Sequence, residues 1–547
     1  MKKTVALILS LVMIMGMLAG CGKTETKEPD SPPPSEGVGV IGDTEKEPAD
    51  EPETVESKYG GVLVYSPGMQ NEQNMGYPAG DTNMLVNMDA SPALETLFRL
   101  DASGNLVCWL AESYDVTDDG LHYTINLRKG VTFHDGTAMD AEAVAWNLQM
   151  NLDNGKAQFN RVESIETEGD SVVKVNMSQA DVLFLPNLAS DPCGLIISPS
   201  AFEKNGAEWC EKNPVGTGPF VFQSWENDVK VVYTRNDHYW GVDADGNQLP
   251  YLDGIECIYM TENAVAEAAL EADEVMMWVR SDADSTLKFI GKPGFIAEKA
   301  GVPSGNFNLV ACTETDNPAA NKDVREAILY AVNFEEIVDA LYSLNFVATK
   351  QNSLPGRIYY NDKLTTREYN PEKAKELLAK AGYADGVEIT FHADNSSFSE
   401  KLFTAMSPYL EAVGITMKIN LLDMGGYFDL MVKDFSDGFL LGGYTYAPDE
   451  FGKMYALASN SAALKVINTK MDDETYQMFE DAKGCATLDE AAEIVKQIQE
   501  SIYGTNLYFI SVMTSFDTVI SHDYVHDTGF YTCAGFHWTP ETAYITK

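Results

Sequence analysis

The strongest constraint on this fold is an N-terminal segment, residues 1–57, that we expect to stay outside any packed core. Two lysines precede an almost entirely apolar run, residues 5–18, which is too short for a comfortable transmembrane helix and has the build of a secretory signal. The run ends in Leu18-Ala19-Gly20-Cys21, with small residues before a cysteine as a lipoprotein signal peptidase requires. We predict cleavage before Cys21 and lipid attachment to its thiol; an ordinary secretory signal with a chance cysteine is the alternative.

Residues 22–57 have the composition of a flexible tether. They are rich in Glu, Asp, Pro, Thr and Ser, include Pro32-Pro33-Pro34 and contain no aromatic residue. Such a segment cannot bury enough apolar surface to offset the entropy of ordering, so we predict disorder. A coil of this length spans roughly 30–36 Å between its ends. It would hold a folded body away from the outer face of a cell membrane, an arrangement that suits a Gram-positive envelope.

Charge and length narrow the class of protein. The 547 residues include 38 basic and 83 acidic side chains, a net charge of −45. Because phosphate contacts require Lys and Arg, nucleic acid is excluded as a partner. The roughly 490 residues after the tether are too many for one core, so we expect two or three domains.

Cysteine is used sparingly. Seven cysteines follow Cys21, none in a CxxC pair and none near a histidine at zinc-finger spacing, so no structural zinc site is predicted. Cys193 and Cys210 flank a short segment before a glycine-rich turn. Either these two form one disulfide or they are buried free thiols.

Hydrophobic periodicity predicts a mixed α/β chain. Residues 114–116 and 122–127 form a hairpin around Asp119-Gly120, and Asp140 caps a helix through residues 141–148. Further helices are expected at 322–332, 334–344, 371–381, 399–413 and 488–503, and strands at 387–392, 416–421 and 437–442. Helix–strand alternation favours partly parallel sheets.

Four motifs follow one another along the chain. The first runs from Ala111-Glu112-Ser113-Tyr114 to Asp135-Gly136, and the second is Pro214-Val215-Gly216-Thr217-Gly218-Pro219-Phe220 with Tyr239-Trp240. The others are Val324-Arg325-Glu326-Ala327-Ile328 with Ala331-Val332-Asn333, and Tyr369-Asn370-Pro371-Glu372-Lys373-Ala374 with Ala381-Gly382-Tyr383. In this order they resemble solute-binding family 5, the peptide- and nickel-binding class of extracellular binding proteins of ABC importers.

The resemblance implies an α/β protein with the two-lobed periplasmic-binding-protein type II fold (cluster C) and an extra inserted domain. Mapping the motifs suggests lobe I at 58–90, 213–305 and 518–547, the extra domain at 91–212, and lobe II at 306–517. The hinge would then be two strands crossing near residues 305 and 517.

The signature residues themselves are interpreted as structural. Gly120, Gly130 and Gly136 suit turns that need a residue without Cβ. Tyr123, Phe133 and Trp146 are expected in the core. Arg128 is expected to bond backbone carbonyls or a carboxylate. The motif therefore identifies a fold and not a binding site.

The resemblance also places the ligand between the lobes. In peptide-binding members, an aspartate in a Trp-x-x-Asp-Tyr-like loop of lobe II pairs with the peptide's amino group. Here Tyr444 stands in place of the tryptophan and Ala447 in place of the aspartate, while Asp449 lies two residues further on. A buried ammonium without its carboxylate is costly, so a free peptide amine is not expected to bind in the family's usual way. Either Asp449 substitutes for the missing aspartate or it is a solvated residue of the turn after Pro448.

Our hypothesis for the pocket combines that loop with the one that follows the first strand, residues 66–70. Loops after strand ends are where α/β clefts place ligands. The candidate ligand-binding residues are Met69, Gln70, Tyr444, Thr445, Tyr446 and Asp449.

An enzyme is not expected. There is no His-Glu-x-x-His motif, no Gly-x-Ser-x-Gly elbow and no phosphate-binding glycine loop, and only seven histidines. We predict no catalytic residue, no cofactor and no bound metal.

The sequence thus predicts a monomeric, membrane-tethered receptor that captures an extracellular solute by closing two lobes and delivers it to an ABC permease and its ATPase. An oligopeptide or dipeptide leads as ligand. An oligosaccharide, a metal chelate or a signalling role without transport remain the alternatives.

Overall fold

The structure is a computed structural model that describes residues 58–68, 74–80, 89–281, 283–342, 344–445, 450–459, 466–530, 538 and 540–547. These residues all belong to one compact unit. Within the described ranges, no helix has the length and apolar character needed to cross a membrane.

The strands are mostly short, with two long exceptions near the middle of the largest sheet. In chain order they are β1 Val62–Ser66, β2 Glu95–Thr96, β3 Phe98–Leu100, β4 Leu106–Cys108, β5 Ala111–Val116, β6 His122–Leu127, β7 Val162–Glu168, β8 Val172–Met177, β9 Leu195–Ile196, β10 Phe220–Glu226, β11 Lys230–Arg235, β12 Gly254–Ile258, β13 Met277–Val279, β14 Phe295–Ala311, β15 Phe346–Ala348, β16 Val387–Asp394, β17 Ile415–Leu422, β18 Phe439–Thr445, β19 Phe509–His522, β20 Val525–His526 and β21 Tyr544–Ile545.

The α-helices are concentrated in the second half of the chain. They are α1 Ala141–Asp153, α2 Phe184–Ser190, α3 Pro199–Asn205, α4 Ala207–Cys210, α5 Asn263–Glu271, α6 Ala283–Phe289, α7 Lys322–Ala331, α8 Phe334–Tyr342, α9 Pro371–Lys380, α10 Ser397–Glu411, α11 Met424–Asp429, α12 Glu450–Ala458, α13 Asp473–Lys483 and α14 Leu488–Gln499.

The expected elements are confirmed with small shifts at their ends. Asp140 caps α1 by accepting a hydrogen bond from the Ala143 N–H at 2.9 Å. The helix expected at 488–503 is α-helical only to Gln499 and continues as a π-helical segment, Glu500–Thr505. Mixed α/β architecture is therefore correct, and local capping chemistry explains where several helices begin.

The largest sheet consists of two half-sheets joined by two long strands. Its order is β10-β11-β12-β1-β13-β19-β14-β18-β16-β17, with β15 also paired to β19. We call β10, β11, β12, β1 and β13 the first half-sheet, and β15, β16, β17 and β18 the second half-sheet. The first half-sheet pairs with β19 through β13, and the second pairs with β14 through β18 and with β19 through β15. The antiparallel ladder between β14 and β19 runs from Phe295↔His522 to Val310↔Phe509.

Alternating side chains place apolar cores on both faces of the sheet. Around the second half-sheet, Leu309 of β14 and Leu441 of β18 pack with α7–α10, whereas Val310 of β14 and Leu440 of β18 pack with α12–α14. In the first half-sheet, Val279 and Trp278 likewise belong to different cores. This alternation follows from the period of two along a strand and shows that both half-sheets are buried on both faces.

A separate antiparallel sheet, β5-β6-β8-β7, packs with α1 around its own apolar core. The turn between β5 and β6 is closed by Gly120 at φ +69°, and a Cβ there would lie 2.8 Å from that of Ala180. Tyr123 and Phe133 are buried as expected, and the Arg128 Nε donates to the Trp109 carbonyl at 3.1 Å. The structural interpretation of the signature is confirmed at these residues.

Residues of the second sequence motif, together with Trp109 just before the first motif, converge on one buried carboxylate, which we call the Glu95 cluster. The Glu95 Oε1 accepts from Trp109 Nε1 at 2.7 Å and from the Tyr239 hydroxyl at 2.9 Å. Its Oε2 accepts from the Thr217 hydroxyl at 2.7 Å and Trp240 Nε1 at 3.0 Å. Burial raises the pKa of Glu95, and the hydrogen bonds oppose that rise.

The possible disulfide between Cys193 and Cys210 is not formed. Both thiols are free and buried. Cys193 lies in a 3₁₀ turn packed against the core of the four-stranded sheet, and Cys210 ends the short helix α4. Burial in these apolar surroundings raises the pKa of each thiol, to about 11 at Cys210, which is the chemistry of inert structural cysteines.

Candidate functional site

The two half-sheets direct the carboxyl ends of their parallel strands toward each other. Ser66, the last residue of β1, is in register with Trp278 of β13, and Trp278 pairs with Ile520 of β19. The end of β18, Thr445, pairs with Gly305, which pairs with Ser515. Because β1 runs antiparallel to β19 and β18 runs parallel to it, the two ends face each other across residues 515–520, roughly 17 Å of extended strand. We call this space the crevice.

The strands that span the crevice are irregular where they cross it. The four steps of β14 from Lys299 to Pro303 oppose only two steps of β19, from Thr518 to Phe516. The extra residues form a bulge, and Val302 within it packs into the core of the four-stranded sheet. A bulge locally breaks the ladder and bends the strand, so this is the point where the sheet is most easily flexed.

One candidate loop begins directly at the crevice. It follows Ser66, which is fully buried and whose hydroxyl has no hydrogen-bond partner among the described residues. Gly68 has φ +67°, and a Cβ there would lie 2.7 Å from the Val279 carbonyl oxygen. Only glycine fits this turn, which brings the chain close to the end of the neighbouring strand.

The predicted ligand-binding residues are placed only in part. Met69, Gln70, Tyr446 and Asp449 lie outside the described residues, as does Cys21. The backbones of Tyr444 and Thr445 form the end of β18, paired with Asn306 and Gly305, so the second candidate loop starts at the crevice. The roles of these six side chains stay predictions.

The helix that follows this loop is fixed by a buried ion pair. Glu450 begins α12 and is 3% exposed, and its carboxylate pairs with the Arg357 guanidinium, of which 6% is exposed. Arg357 Nη1 also donates to the Ala102 carbonyl at 2.6 Å. One guanidinium thus ties the start of α12 to the segment between β3 and β4, which fixes the exit of the candidate loop.

Lys453 stands one turn into α12. Its side chain is half-buried, and its ammonium forms no ion pair or hydrogen bond with any residue that the structure describes. Burial lowers the pKa of Lys453 because the charged form loses hydration. An ammonium in this condition, three residues after a buried helix start, is suited to an anionic partner from outside the chain.

Sequence reasoning missed Arg357, Glu450 and Lys453. The sequence offered one usable signal, because Glu450 and Lys453 both lie within the four residues that follow the candidate loop. Nothing in the sequence indicated that the distant Arg357 would pair with Glu450. Within the described ranges, no three His, Cys, Asp or Glu side chains come together as a metal site would require.

Comparison with known proteins places the chain in a family. The sequence profile of the bacterial extracellular solute-binding proteins, family 5 Middle, matches residues 105–464. A glutathione-binding protein GsiB from Pectobacterium atrosepticum is 32% identical over 355 residues, which are 64% of this chain and 67% of that protein.

Solved structures share the fold. The periplasmic binding protein DppA of Helicobacter pylori, in complex with the peptide STSA, superposes with a TM-score of 0.70 at 23% identity, over 90% of this chain and 99% of that one. The substrate-binding protein CtaP of Listeria monocytogenes gives 0.79 at 20% identity, over 90% and 100%. The fold is the two-lobed type II fold of periplasmic binding proteins. The chain therefore belongs to family 5 of the bacterial extracellular solute-binding proteins, which serve ABC importers.

Proposed function

We propose that the protein captures a short, negatively charged peptide in the crevice and delivers it to an ABC permease and its ATPase. The observations that carry the proposal are the meeting of two sets of strand ends and Lys453, a half-buried ammonium that lies eight residues after the end of β18 and that no described residue pairs. Carboxyl ends of strands at a change of sheet direction are the usual place for ligands in α/β folds. The lysine supplies the charge that a peptide carboxylate requires.

The proposed mechanism is closure of two lobes about β14 and β19. Lobe I would comprise 58–90, 213–305 and 518–547, the extra domain 91–212, and lobe II 306–517. The bulge between Lys299 and Pro303 supports a hinge at this place. A contact between the extra domain and lobe II supports a closed form, since the Val182 N–H donates to the Lys483 carbonyl at 3.0 Å and Lys483 pairs with Asp181 at 3.4 Å.

Ligand binding drives closure only if the closed state binds more tightly than the open one. A peptide that touches both lobes satisfies this condition, because its contacts are complete only when the crevice is narrow. The closed, liganded form would then dock on the permease. No covalent chemistry is needed.

Glutathione is the ligand that we would test first. The 32% identical relative is named for it, and glutathione carries two carboxylates that could meet Lys453. Ala447 stands where the family's peptide binders have aspartate, so a free amino group would be recognised differently here, with Asp449 as the candidate. Amine recognition and carboxylate recognition are thus separable properties of the site.

The proposal includes anchoring through Cys21 at the outer face of the cell membrane. It rests on the apolar run and the small residues before Cys21, and on the charged, proline-rich segment that follows. Radiolabelled palmitate should be incorporated into the wild-type chain in cells and not into Cys21→Ser.

Thermal unfolding tests the ligand class. At a hundredfold excess over its dissociation constant, a ligand stabilises the folded state by about 2.7 kcal/mol, which raises the melting temperature measurably. We expect glutathione or short acidic peptides to raise it. Peptide amides that lack a free carboxylate should have a much smaller effect.

Two further ligand sets decide the alternatives. If only oligosaccharides or nickel chelates raise the melting temperature, the peptide assignment is wrong. If peptides bind equally well after N-terminal acetylation, the amino group is not recognised and Asp449 has no role in it. An increase in affinity for unmodified neutral peptides in Ala447→Asp would show that the family's amine site is preserved in outline.

A further inference from the structure

The extra domain contacts both lobes, but the two contacts differ in kind. On the side of lobe I, backbone groups pair directly. The Gly218 N–H donates to the Ala93 carbonyl at 3.0 Å, and the Phe220 N–H donates to the Pro92 carbonyl at 2.9 Å. The Glu95 cluster adds side-chain hydrogen bonds across the same boundary. The extra domain is therefore firmly attached to lobe I.

A short segment of the extra domain, residues 180–183, reaches into lobe II, and we call it the strap. Val182 and Leu183 are buried in the core that the second half-sheet forms with α12–α14. The Val182 N–H donates to the Lys483 carbonyl at 3.0 Å, and the Lys483 ammonium lies 3.4 Å from the Asp181 carboxylate. Because the extra domain and lobe II each have a core of their own, this contact can part without unfolding either.

Two contacts between the extra domain and lobe II meet at α12, the helix that follows the candidate loop. Its first residue, Glu450, pairs with Arg357, whose Nη1 also donates to the Ala102 carbonyl of the extra domain at 2.6 Å. Five residues later, the Tyr455 ring centre lies 4.7 Å from the Lys483 ammonium that pairs with the strap. The position of α12 and the position of the strap are thus linked by direct contacts.

We propose that the strap is a latch on the closed form: it moves with lobe I, binds lobe II beside α12 when the crevice closes, and withdraws when the crevice opens. A ligand that fixes the loop before α12 favours the bound strap, and the bound strap slows release of the ligand. Because the strap stabilises closure itself, its effect is independent of the ligand's charge. The inference rests on the proposed closure of two lobes and not on the identity of the ligand.

Hydrogen exchange of single backbone amides in the purified protein, with no ligand added, tests which contact parts. Opening that separates the strap from lobe II exposes the Val182 N–H, whereas the N–H groups of Gly218 and Phe220 stay paired with the extra domain. After correction for intrinsic rates, we expect Val182 to exchange at least about tenfold faster than Gly218 and Phe220. Equal rates, or faster exchange at Gly218 and Phe220, would overturn the proposal.

Small-angle X-ray scattering distinguishes opening of the lobes from local fraying of the strap. Lys483→Met removes the ion pair with Asp181 but keeps a long side chain, so the radius of gyration of the purified protein should rise. Lys230→Met, which breaks a 2.6 Å ion pair inside the first half-sheet, is the matched control and should leave the radius unchanged. Faster exchange at Val182 in Lys483→Met without a larger radius of gyration would overturn the proposal.

A second variant, Asp181→Asn, covers the case in which Lys483→Met does not fold. The Asp181 Oδ1 accepts from the Leu183 N–H at 3.1 Å, and the asparagine amide oxygen can keep that hydrogen bond while the charge of the ion pair is lost. The same rise in the radius of gyration is expected. An unchanged radius in the folded variant would overturn the proposal.

Glutathione separates this inference from the proposed function. If it binds, a hundredfold excess over its dissociation constant should slow exchange at Val182 at least about tenfold and leave Gly218 and Phe220 unchanged. Binding without slower exchange at Val182 would overturn the role of the strap and leave the ligand assignment standing. If glutathione does not bind, the ligand assignment fails, whereas exchange and scattering without ligand still decide the role of the strap.

Discussion

The Glu95 cluster and the crevice differ in whether their polar groups have hydrogen-bond partners within the chain. At Glu95, four donors from Trp109, Thr217, Tyr239 and Trp240 occupy both oxygens of one buried carboxylate. At the end of β1 the Ser66 hydroxyl has no partner among the described residues, and neither has the Lys453 ammonium, eight residues after the end of β18. A polar group satisfied within the chain specifies the fold, whereas one left unsatisfied beside a crevice is available to a ligand.

The Arg357–Glu450 pair combines both behaviours. It is a buried ion pair, enclosed like Glu95, and it also fixes the helix that follows the candidate loop. Substitutions in the Glu95 cluster should therefore lower mainly stability, those at the crevice mainly ligand affinity, and those in the Arg357–Glu450 pair both.

Glu95→Ala should have the largest effect. It leaves four buried donors without their acceptor, and each unsatisfied group costs about 1–3 kcal/mol, so we expect at least about 4 kcal/mol of lost stability. Urea unfolding measures the loss. Glu112→Ala, an exposed glutamate in the signature hairpin, is the control and should change stability by less than about 0.5 kcal/mol.

The Glu95→Ala variant can also contradict the contrast drawn between the Glu95 cluster and the crevice. If Glu95→Ala folds with nearly wild-type stability but loses ligand affinity, the cluster belongs to the binding site and not to the structural core. We expect the reverse, namely that any surviving folded protein binds its ligand normally.

Arg357→Met should come next, with a stability loss of about 3 kcal/mol, because it leaves the buried Glu450 carboxylate without its guanidinium. Affinity should fall as well, since the start of α12 is no longer fixed. The double variant Arg357→Met/Glu450→Leu should regain most of the stability but not the affinity. Lys496→Met, which breaks an exposed pair with Glu493 at 2.7 Å, should cost under about 1 kcal/mol.

Gly68→Ala should cost about 2 kcal/mol, because alanine is strained at φ +67° and its Cβ would collide with the Val279 carbonyl. The loop after β1 would shift, so ligand affinity should fall more than tenfold in calorimetric titration. Gly130→Ala is the matched control: it has a similar φ, +79°, but no atom within 4 Å of its Cβ. Equal losses of affinity in both variants would mean that the loop does not reach the ligand.

The sequence predicted the parts of the fold that depend on local patterns. The hairpin around Gly120, the Asp140 cap and the helices α7–α10 follow from turn chemistry and from a period of 3.6 residues. The motif residues Thr217, Tyr239 and Trp240 were visible as a resemblance, but their meeting at Glu95 was not. A hydrogen-bond cluster assembled from segments more than a hundred residues apart leaves no local pattern.

The candidate site was predicted as two loops and not as a set of contacts. The positions of residues 66–70 and 444–449 at strand ends could be anticipated, because parallel strands place their loops at one edge. The partner of Glu450 could not, since Arg357 is 93 residues earlier and lies in a segment without regular structure. Lys453 was missed because its lack of a partner is a property of packing alone.

Lys453→Met should have the smallest effect on stability and a selective effect on binding. The substitution removes a half-buried charge with a lowered pKa, so the unliganded protein should be unchanged or slightly more stable at neutral pH. Affinity for glutathione or an acidic peptide should fall about tenfold, equivalent to about 1.4 kcal/mol. Lys470→Met, at an exposed lysine, is the control.

The pH dependence gives the sharper test of Lys453. A ligand carboxylate favours the charged ammonium and raises its pKa again, so binding takes up a proton when the pH lies between the free and bound values. Wild-type affinity should therefore be full below the lowered pKa of the free protein and weaken as the pH rises through it. Lys453→Met should bind weakly without this alkaline loss. If wild type and Lys453→Met weaken in parallel, Lys453 does not contact the ligand and its missing partner has another explanation in the packing of α12.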